Sequence, residues 1–352
     1  MFEPPRCPNP DCSMHAAPQP GFCVRHGTYW PKCRSESVPR FRCKSCGKSF
    51  SRQTFRADYR DHRPDVNTFA FLCLASGLGL RQTARVVQIS HRCLELKFRK
   101  IARHLYDLNL NLRLPMPAWA CFQLDEVETY EGRRNTKPLT LPVVLERETR
   151  FLVSARSAPI RPRGKMTPER RQAIAADEKR LGRRRDRSRA ATYQCLQKVA
   201  ELTGDHPVLE FHTDQKSTYP RLLRRAFGRE RIRHLTVNSK AARDTYNLLF
   251  PINNNEAIAR DLNGRLRRES WLVSKQARYL DLQLGLFATW RNYVRKRFNY
   301  DGQSAAQRLG WVTRRMRHDE VVGWRQDWGE LSIFPMARRL ESVAEWRAAA
   351  AS

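Results

Sequence analysis

Three short stretches carry residues that could do chemistry: Phe122-Gln123-Leu124-Asp125-Glu126, Phe211-His212-Thr213-Asp214 and Asn253-Asn254-Asn255-Glu256. Each sets a carboxylate at the end of a predicted strand or the start of a predicted helix. Magnesium prefers hard oxygen ligands and takes few carboxylates, leaving room for waters and phosphate oxygens. Two such ions about 4 Å apart stabilise both the attacking and the leaving oxygen of an in-line displacement at phosphorus. In that scheme Asp125 bridges two magnesium or manganese ions, Asp214 holds one and Glu256 the other. Glu126 and Glu128 flank Asp125, and strand pleating sends Glu126 to the opposite face. Asp214 also reads as a helix-opening N-cap, and Glu256 as an ordinary first-turn acid.

Phosphodiester chemistry suits the charge of the chain. Its 352 residues hold 66 Lys+Arg against 35 Asp+Glu, a net charge of +31, with a pI near 10.6. Such an excess points to nucleic acid, or less often an anionic membrane surface, as partner. Apolar residues make up 41% of the chain, enough for packed cores in two or three domains. The longest mostly apolar run, residues 68–80, is shorter than the ~20 residues a membrane span needs, and the N-terminal residues do not read as a signal peptide. The expected location is therefore intracellular, with reduced thiols.

In a reducing compartment, crowded cysteines argue for metal rather than disulfides. Six of the ten cysteines, Cys7, Cys12, Cys23, Cys33, Cys43 and Cys46, fall at the N-terminal end. The segment from Phe41 to Phe50 reads as strand, CxxC knuckle, glycine turn and strand. This is half of a zinc ribbon, with Cys7 and Cys12 as the other half. Zinc takes four soft ligands in a tetrahedron, so Cys7, Cys12, Cys43 and Cys46 are the first choice. Cys23 or Cys33 could replace one of them, or with His26 add a second site.

The ions and acids need elements to position them. Residues 55–110 show helical spacing, with a break at Gly77-Leu78-Gly79, a short helix from Leu80 and a turn at Gln88-Ile89-Ser90. A longer helix follows from about His91 to Leu105, capped by Ser90. Two helices joined by a short turn form a helix-turn-helix pattern. Its second helix would enter the major groove with His91, Arg92, Glu95 and Arg99 as readers. Arg81, Gln82, Lys97 and Arg103 would meet phosphates.

After the Pro115–Pro117 break come three predicted antiparallel strands, at 119–124, 139–145 and 151–155. An arginine-rich insertion at about 161–190 reads as a solvated, partly helical or disordered loop. A helix near 190–203, a strand at 208–213, a helix after Ser217, a strand at 232–237 and a helix from about Asn255 to Ser270 complete the pattern. Three strands followed by helix, strand, helix, strand and helix is the element order of the ribonuclease-H-like fold. The expected architecture is thus a multi-domain α/β chain: a zinc ribbon at 1–52, a helix-turn-helix domain at 53–112, a ribonuclease-H-like catalytic domain at 113–300 and a helical extension at 301–352. The tail tryptophans Trp311, Trp324, Trp328 and Trp346 are expected in the core.

These features together resemble the DDE transposases of small bacterial insertion sequences. The resemblance rests on the ribbon Arg42-Cys43-Lys44-Ser45-Cys46-Gly47-Lys48-Ser49-Phe50, the Asp125-Glu126 strand end, and Thr213-Asp214 followed by Tyr219. It continues with Asn253-Asn254-Asn255, Arg265-Leu266-Arg267-Arg268, Ser274-Lys275 and the late Ser304-Ala305-Ala306-Gln307-Arg308-Leu309-Gly310. It implies an enzyme of the bacterial cytoplasm, at the nucleoid and with no membrane partner, that binds the double-stranded DNA of element ends, nicks a strand and transfers the freed 3′-hydroxyl to target DNA, as a homo-oligomer when bound to DNA. One departure stands out: in such relatives the last acid would fall near Asn253, whereas Glu256 lies about one helical turn later. A DNA-binding regulator that has lost catalysis, and a structure-specific nuclease using the same acids, are the alternative expectations.

Overall fold

The computed structural model describes residues 3–32, 35–56, 58–238, 240–242, 244–267 and 270–324. Cys33, Arg268, Trp328 and Trp346 lie outside the described residues. The N-terminal segment holds a short helix α1 (Ser13–Ala16) and a three-stranded antiparallel sheet, β1 (Cys23–Tyr29), β2 (Val38–Cys43) and β3 (Ser49–Ser51), in that order. Gly47 turns the knuckle between β2 and β3 at a φ of +69°, a region that a side chain rarely tolerates. Phe22, Phe50 and Phe55 pack with the buried cysteines into a small core of its own.

Three helices follow: α2 (Asn67–Ala75), α3 (Leu80–Val86) and α4 (His91–Asn111). Ser90 caps α4 as expected, its hydroxyl accepting from the Cys93 N–H at 3.2 Å. The helix runs past Leu105 to Asn111 because Leu108 and Leu112 continue its buried stripe.

The remaining elements build a mixed α/β layer: β4 (Cys121–Tyr130), β5 (Pro138–Glu146), β6 (Leu152–Ala155), β7 (Ala158–Pro159), α5 (Pro168–Leu181), α6 (Ser188–Thr203), β8 (Leu209–Asp214), α7 (Tyr219–Phe227) and β9 (Ile232–Val237). Then come α8 (Phe250–Leu262), α9 (Ala277–Thr289), a π-helical turn at Trp290–Val294, α10 (Ala305–Arg308) and α11 (His318–Gly323). The six-stranded sheet runs β6-β5-β4-β8-β9, with β7 added to β5. The β4, β5 and β6 pairings are antiparallel, while β8 lies parallel to both β4 and β9. Helices flank the sheet. No described helix is long and apolar enough to cross a membrane.

The arginine-rich insertion is partly helical, one of the forms expected: it contains α5, capped by the Thr167 hydroxyl, and Arg184 is anchored to the carbonyls of Ile160 and Pro138. Three sequence expectations change here. Strand β4 does not stop at residue 124 but runs to Tyr130, because β5 pairs with it along that whole length. Helix α8 begins at Phe250, not Asn255, and ends at Leu262. The third change concerns the boundary after residue 112. Phe71, Phe98 and Leu105 from the helices share one continuous core with Phe122 and Phe211 from the sheet, and with Trp311 and Trp324 near the C-terminal end. Helix α4 is long and apolar along one side, and α9 covers that side. The helical region is therefore built into the core of the sheet through α2 and α4, while Ala70, Ala84, Val87 and Leu94 form a small second cluster where α3 packs.

Lys97 shows the cost of that embedding. Its ammonium is buried, bonding both Asp61 oxygens at 2.5 and 2.6 Å, the Arg63 carbonyl and Asn67 Oδ1. It is turned inward and cannot meet a DNA phosphate, contrary to the sequence expectation. Burial pushes the Asp61 carboxyl up, but hydrogen bonds from Lys97, Arg63 and Asn67 outweigh it and hold Asp61 below the ordinary range. The pair thus contributes stability that is present above the unfolded carboxylate pKa of about 4 and lost as pH falls through the folded value. Lys97→Met should destabilise the chain by about 3 kcal/mol at neutral pH, as breaking a buried pair does. Thermal melts should show the difference shrinking as the pH drops below about 4.

Candidate functional site

Parallel register sets the first two acids side by side. Leu124 on β4 pairs with Thr213 on β8, so Asp125 and Asp214 are the next residues on each strand; Asp125, however, lies midway along β4, which stays paired with β5 as far as Tyr130, and not at the strand end expected from the sequence. Asp214 ends β8, and α7 begins only at Tyr219. The N-cap reading of Asp214 therefore fails, although its Oδ1 accepts the Lys216 backbone N–H at 3.0 Å and shapes the turn.

The third acid arrives from α8. Because the helix starts at Phe250, Glu256 sits in its second turn and is 4% exposed. It is not the first-turn acid expected from the sequence. Asn253 lies three residues earlier, which on a helix is the same face. Asp125, Asp214, Asn253 and Glu256 all line one cavity of about 220 Å³. Glu256 thus reaches the same space as the Asn253 position where the resemblance would put the last acid. Arg260, one turn further, lies 3.7 Å from the Glu256 carboxylate.

Two residues with no assigned role in the sequence reading hold this arrangement. Gln123, fully buried on the Asp125 face of β4, donates to the Leu248 carbonyl at 2.6 Å and accepts from the Ile252 N–H at 2.9 Å. It clamps the first turn of α8 to the strand and satisfies one of its orphan donors. A glutamine inside the apolar run Phe122-Gln123-Leu124 was the available signal. Tyr219, also fully buried, lies among the acids: burial first, then the charges of Glu126, Asp125, Asp214 and Glu256, push its phenol far above the ordinary value. Its hydroxyl has no hydrogen-bond partner among the described residues.

Glu126 is occupied by protein partners. It accepts from Lys216 Nζ at 2.5 Å, Thr140 Oγ1 at 2.6 Å and Thr192 Oγ1 at 3.3 Å. Glu126 and Glu128 nevertheless line the cavity along with Asp125, so pleating does not remove Glu126 from it as expected; the ties to Lys216, Thr140 and Thr192 are what set Glu126 apart from Asp125. The oxygens of Asp125, Asp214 and Glu256 do not all lie within 4.8 Å of one another.

The cysteine cluster is tighter. Cys7, Cys12, Cys43 and Cys46 bring their sulfurs within 4.8 Å of one another, with Cys7–Cys46 at 3.5 Å and Cys12–Cys43 at 3.9 Å. Four thiolates at zinc's usual bond length of about 2.3 Å would lie about 3.8 Å apart, so the group could bind a metal such as zinc. Burial pushes the Cys7 thiol up to about 12, while the Lys48 N–H draws Cys46 down to about 7. Cys23 and His26 lie in β1 outside this cluster, and His26 is exposed.

A second group was not anticipated. Cys121 Sγ lies 3.5 Å from His212 Nε2 and 3.6 Å from Glu210 Oε1, and His212 and Glu210 are 2.7 Å apart. Alternation puts these three on the Asp125 and Asp214 face of β4 and β8, nearer the other end of the strands.

The helical region divides its basic residues. Arg81, His91, Arg92 and Arg103 are exposed and Gln82 is half-buried. Glu95 and Arg99, expected as readers, are turned to Tyr279 of α9: the phenol donates to Glu95 at 2.7 Å, and Arg99 bonds both Glu95 and the phenol oxygen.

No protein-family model matches this chain, and no curated protein sequence does.

Proposed function

We propose that the chain is a DNA transposase of the DDE type, with Asp125, Asp214 and Glu256 as its metal-holding acids. One observation carries the reading: two carboxylates side by side on neighbouring parallel strands and a third from α8 line one cavity, in a chain whose net charge is +31. The strand order β6-β5-β4-β8-β9, with antiparallel and parallel halves, supports the ribonuclease-H-like fold. The cysteine cluster supports a zinc ribbon, and α3 and α4 joined by four residues support a helix-turn-helix.

In this reading Asp125, Asp214 and Glu256 would hold magnesium or manganese, and Asn253 adds a polar group beside them. When bound there, the ion supplies Lewis-acid polarisation of phosphate oxygens and lowers the pKa of a coordinated water. Gln123 keeps α8, and with it Glu256, beside β4. Arg260 offsets part of the negative charge that the acids concentrate. Exposed Arg81, His91, Arg92 and Arg103 would meet the element ends, and two protomers would pair two ends.

The purified protein should nick DNA carrying the element's ends, with magnesium or manganese, and join the freed 3′-hydroxyl to a target plasmid. Cleavage indifferent to end sequence would make it a structure-specific nuclease instead. Tight DNA binding with no cleavage in either metal would make it a regulator, a reading that the spread of the three acids keeps in view.

A further inference from the structure

A buried arginine with no acid beside it lies close to an arginine-lined cavity that adjoins the acid-lined one. Arg291, in the π-helical turn after α9, is fully buried, and none of its three guanidinium nitrogens has a hydrogen-bond partner among the described residues. Its charged neighbours repel it: burial, then Arg295, Arg150 and Arg297, bring it down to about 9. Arg150 is in a similar state, with Nε and Nη1 buried and unpartnered. Isolated buried guanidinium groups are strongly unfavourable unless an anion joins them.

Arg291 does not itself line an open space, but Arg150 and Arg297, whose charges bear on it, do. Arg147, Arg150, Arg297 and Arg308 line a cavity of about 430 Å³, together with Glu148, Phe250 and Pro251. Arg147 is paired with Glu148 and Arg297 with Asp301, which leaves Arg150 and Arg308 as the arginines there without a salt-bridged acid among the described residues. Phe250 and Pro251 are the first residues of α8, a helix of 13 residues, and a helix N-terminus favours an anion. Asn247 lines both this cavity and the one holding Asp125 and Glu256. Arginine forks match phosphate oxygens in particular.

We propose that this arginine cavity is a phosphate site that holds a backbone phosphate of the DNA strand whose neighbouring phosphodiester lies at the acids. The proposal rests on the catalytic reading for its choice of occupant, yet it is tested without catalysis. Full-length protein is melted in chloride and in inorganic phosphate at equal ionic strength, and its affinity for a labelled duplex is measured in EDTA across a salt series. Saturating phosphate should raise the melting temperature of the unaltered chain by about 2–4 °C.

Arg150→Gln, in the cavity wall, should lose the response to phosphate. Arg291→Met should raise the melting temperature in chloride, because it removes an unpaired buried charge. A guanidinium serving only the fold would show the opposite sign. Arg308→Gln, at an exposed position, should lower the slope of log affinity against log salt by about 1. If phosphate stabilises the chain but Arg308→Gln leaves that slope unchanged, the DNA backbone is not the occupant and free phosphate is. If neither response appears, the site is overturned. An intact slope difference in a protein that never nicks DNA would overturn the catalytic reading alone.

Discussion

Asp125→Asn should remove metal-dependent strand cleavage while leaving the fold and DNA binding in place. The substitution keeps the shape of a side chain that sits, half-buried, midway along β4, so no cavity opens and the β4–β8 register has no reason to shift. What goes is one negative charge from the wall shared with Asp214 and Glu256. An amide is a poor ligand for a hard cation, and even loss of an outer-shell partner costs about 10–100-fold at metal sites. Loss of a direct ligand should cost about 10³-fold or more. Single-turnover cleavage at saturating magnesium, with DNA affinity measured in parallel in EDTA, separates the two effects. Cleavage within about tenfold of the unaltered protein would mean that Asp125 does not serve the reaction, since a factor of ten is only about 1.4 kcal/mol.

The second large effect concerns the cysteine cluster. The N-terminal sheet is small, and its core consists of a few phenylalanines around Cys7, Cys12 and Cys43. So little apolar surface cannot hold such a segment folded by itself. If zinc binds there, its binding free energy is folding free energy, about 10–16 kcal/mol in isolated zinc modules. Cys43→Ser, or a strong chelator, should unfold residues 1–52 and leave the core containing Phe98, Phe122 and Phe211 closed. Limited proteolysis should then cut only the N-terminal segment, and elemental analysis should fall from one zinc per chain toward none. Equal protease resistance with and without chelator would exclude a structural metal.

The strands were the most legible part of the sequence, because β4, β5 and β8 are short apolar runs between turn residues. Asp214 closes β8 as expected, whereas β4 runs on through Asp125 to Tyr130, because the acids at 125, 126 and 128 hid a stretch that pairs with β5. The error at Glu256 came from α8: Pro251 was not read as a first-turn residue, although proline is at home there, so the helix was started five residues late. Lys97 was misjudged in the same way. It follows Leu94 by three residues and precedes Ile101 by four, the spacing of the buried stripe, and its charge hid that pattern. Asp61, which neutralises it, lies in a loop that no periodicity links to α4. The unpartnered Arg291 was unreadable in principle, because no sequence pattern says which of so many arginines will be buried without an acid.

The continuous core that runs from α2 through the sheet to Trp324 limits how such a chain can diversify. Proteins assembled as beads on a string change specificity by swapping a recognition cassette at the linker. Here a crossover after residue 112 would leave α4 facing a foreign α9, with Glu95 and Arg99 deprived of Tyr279 and half of the apolar interior mismatched. New binding preferences must instead accumulate by single substitutions at outward-facing positions such as Arg81, His91 and Arg92. The inherited interior is passed on as one indivisible unit.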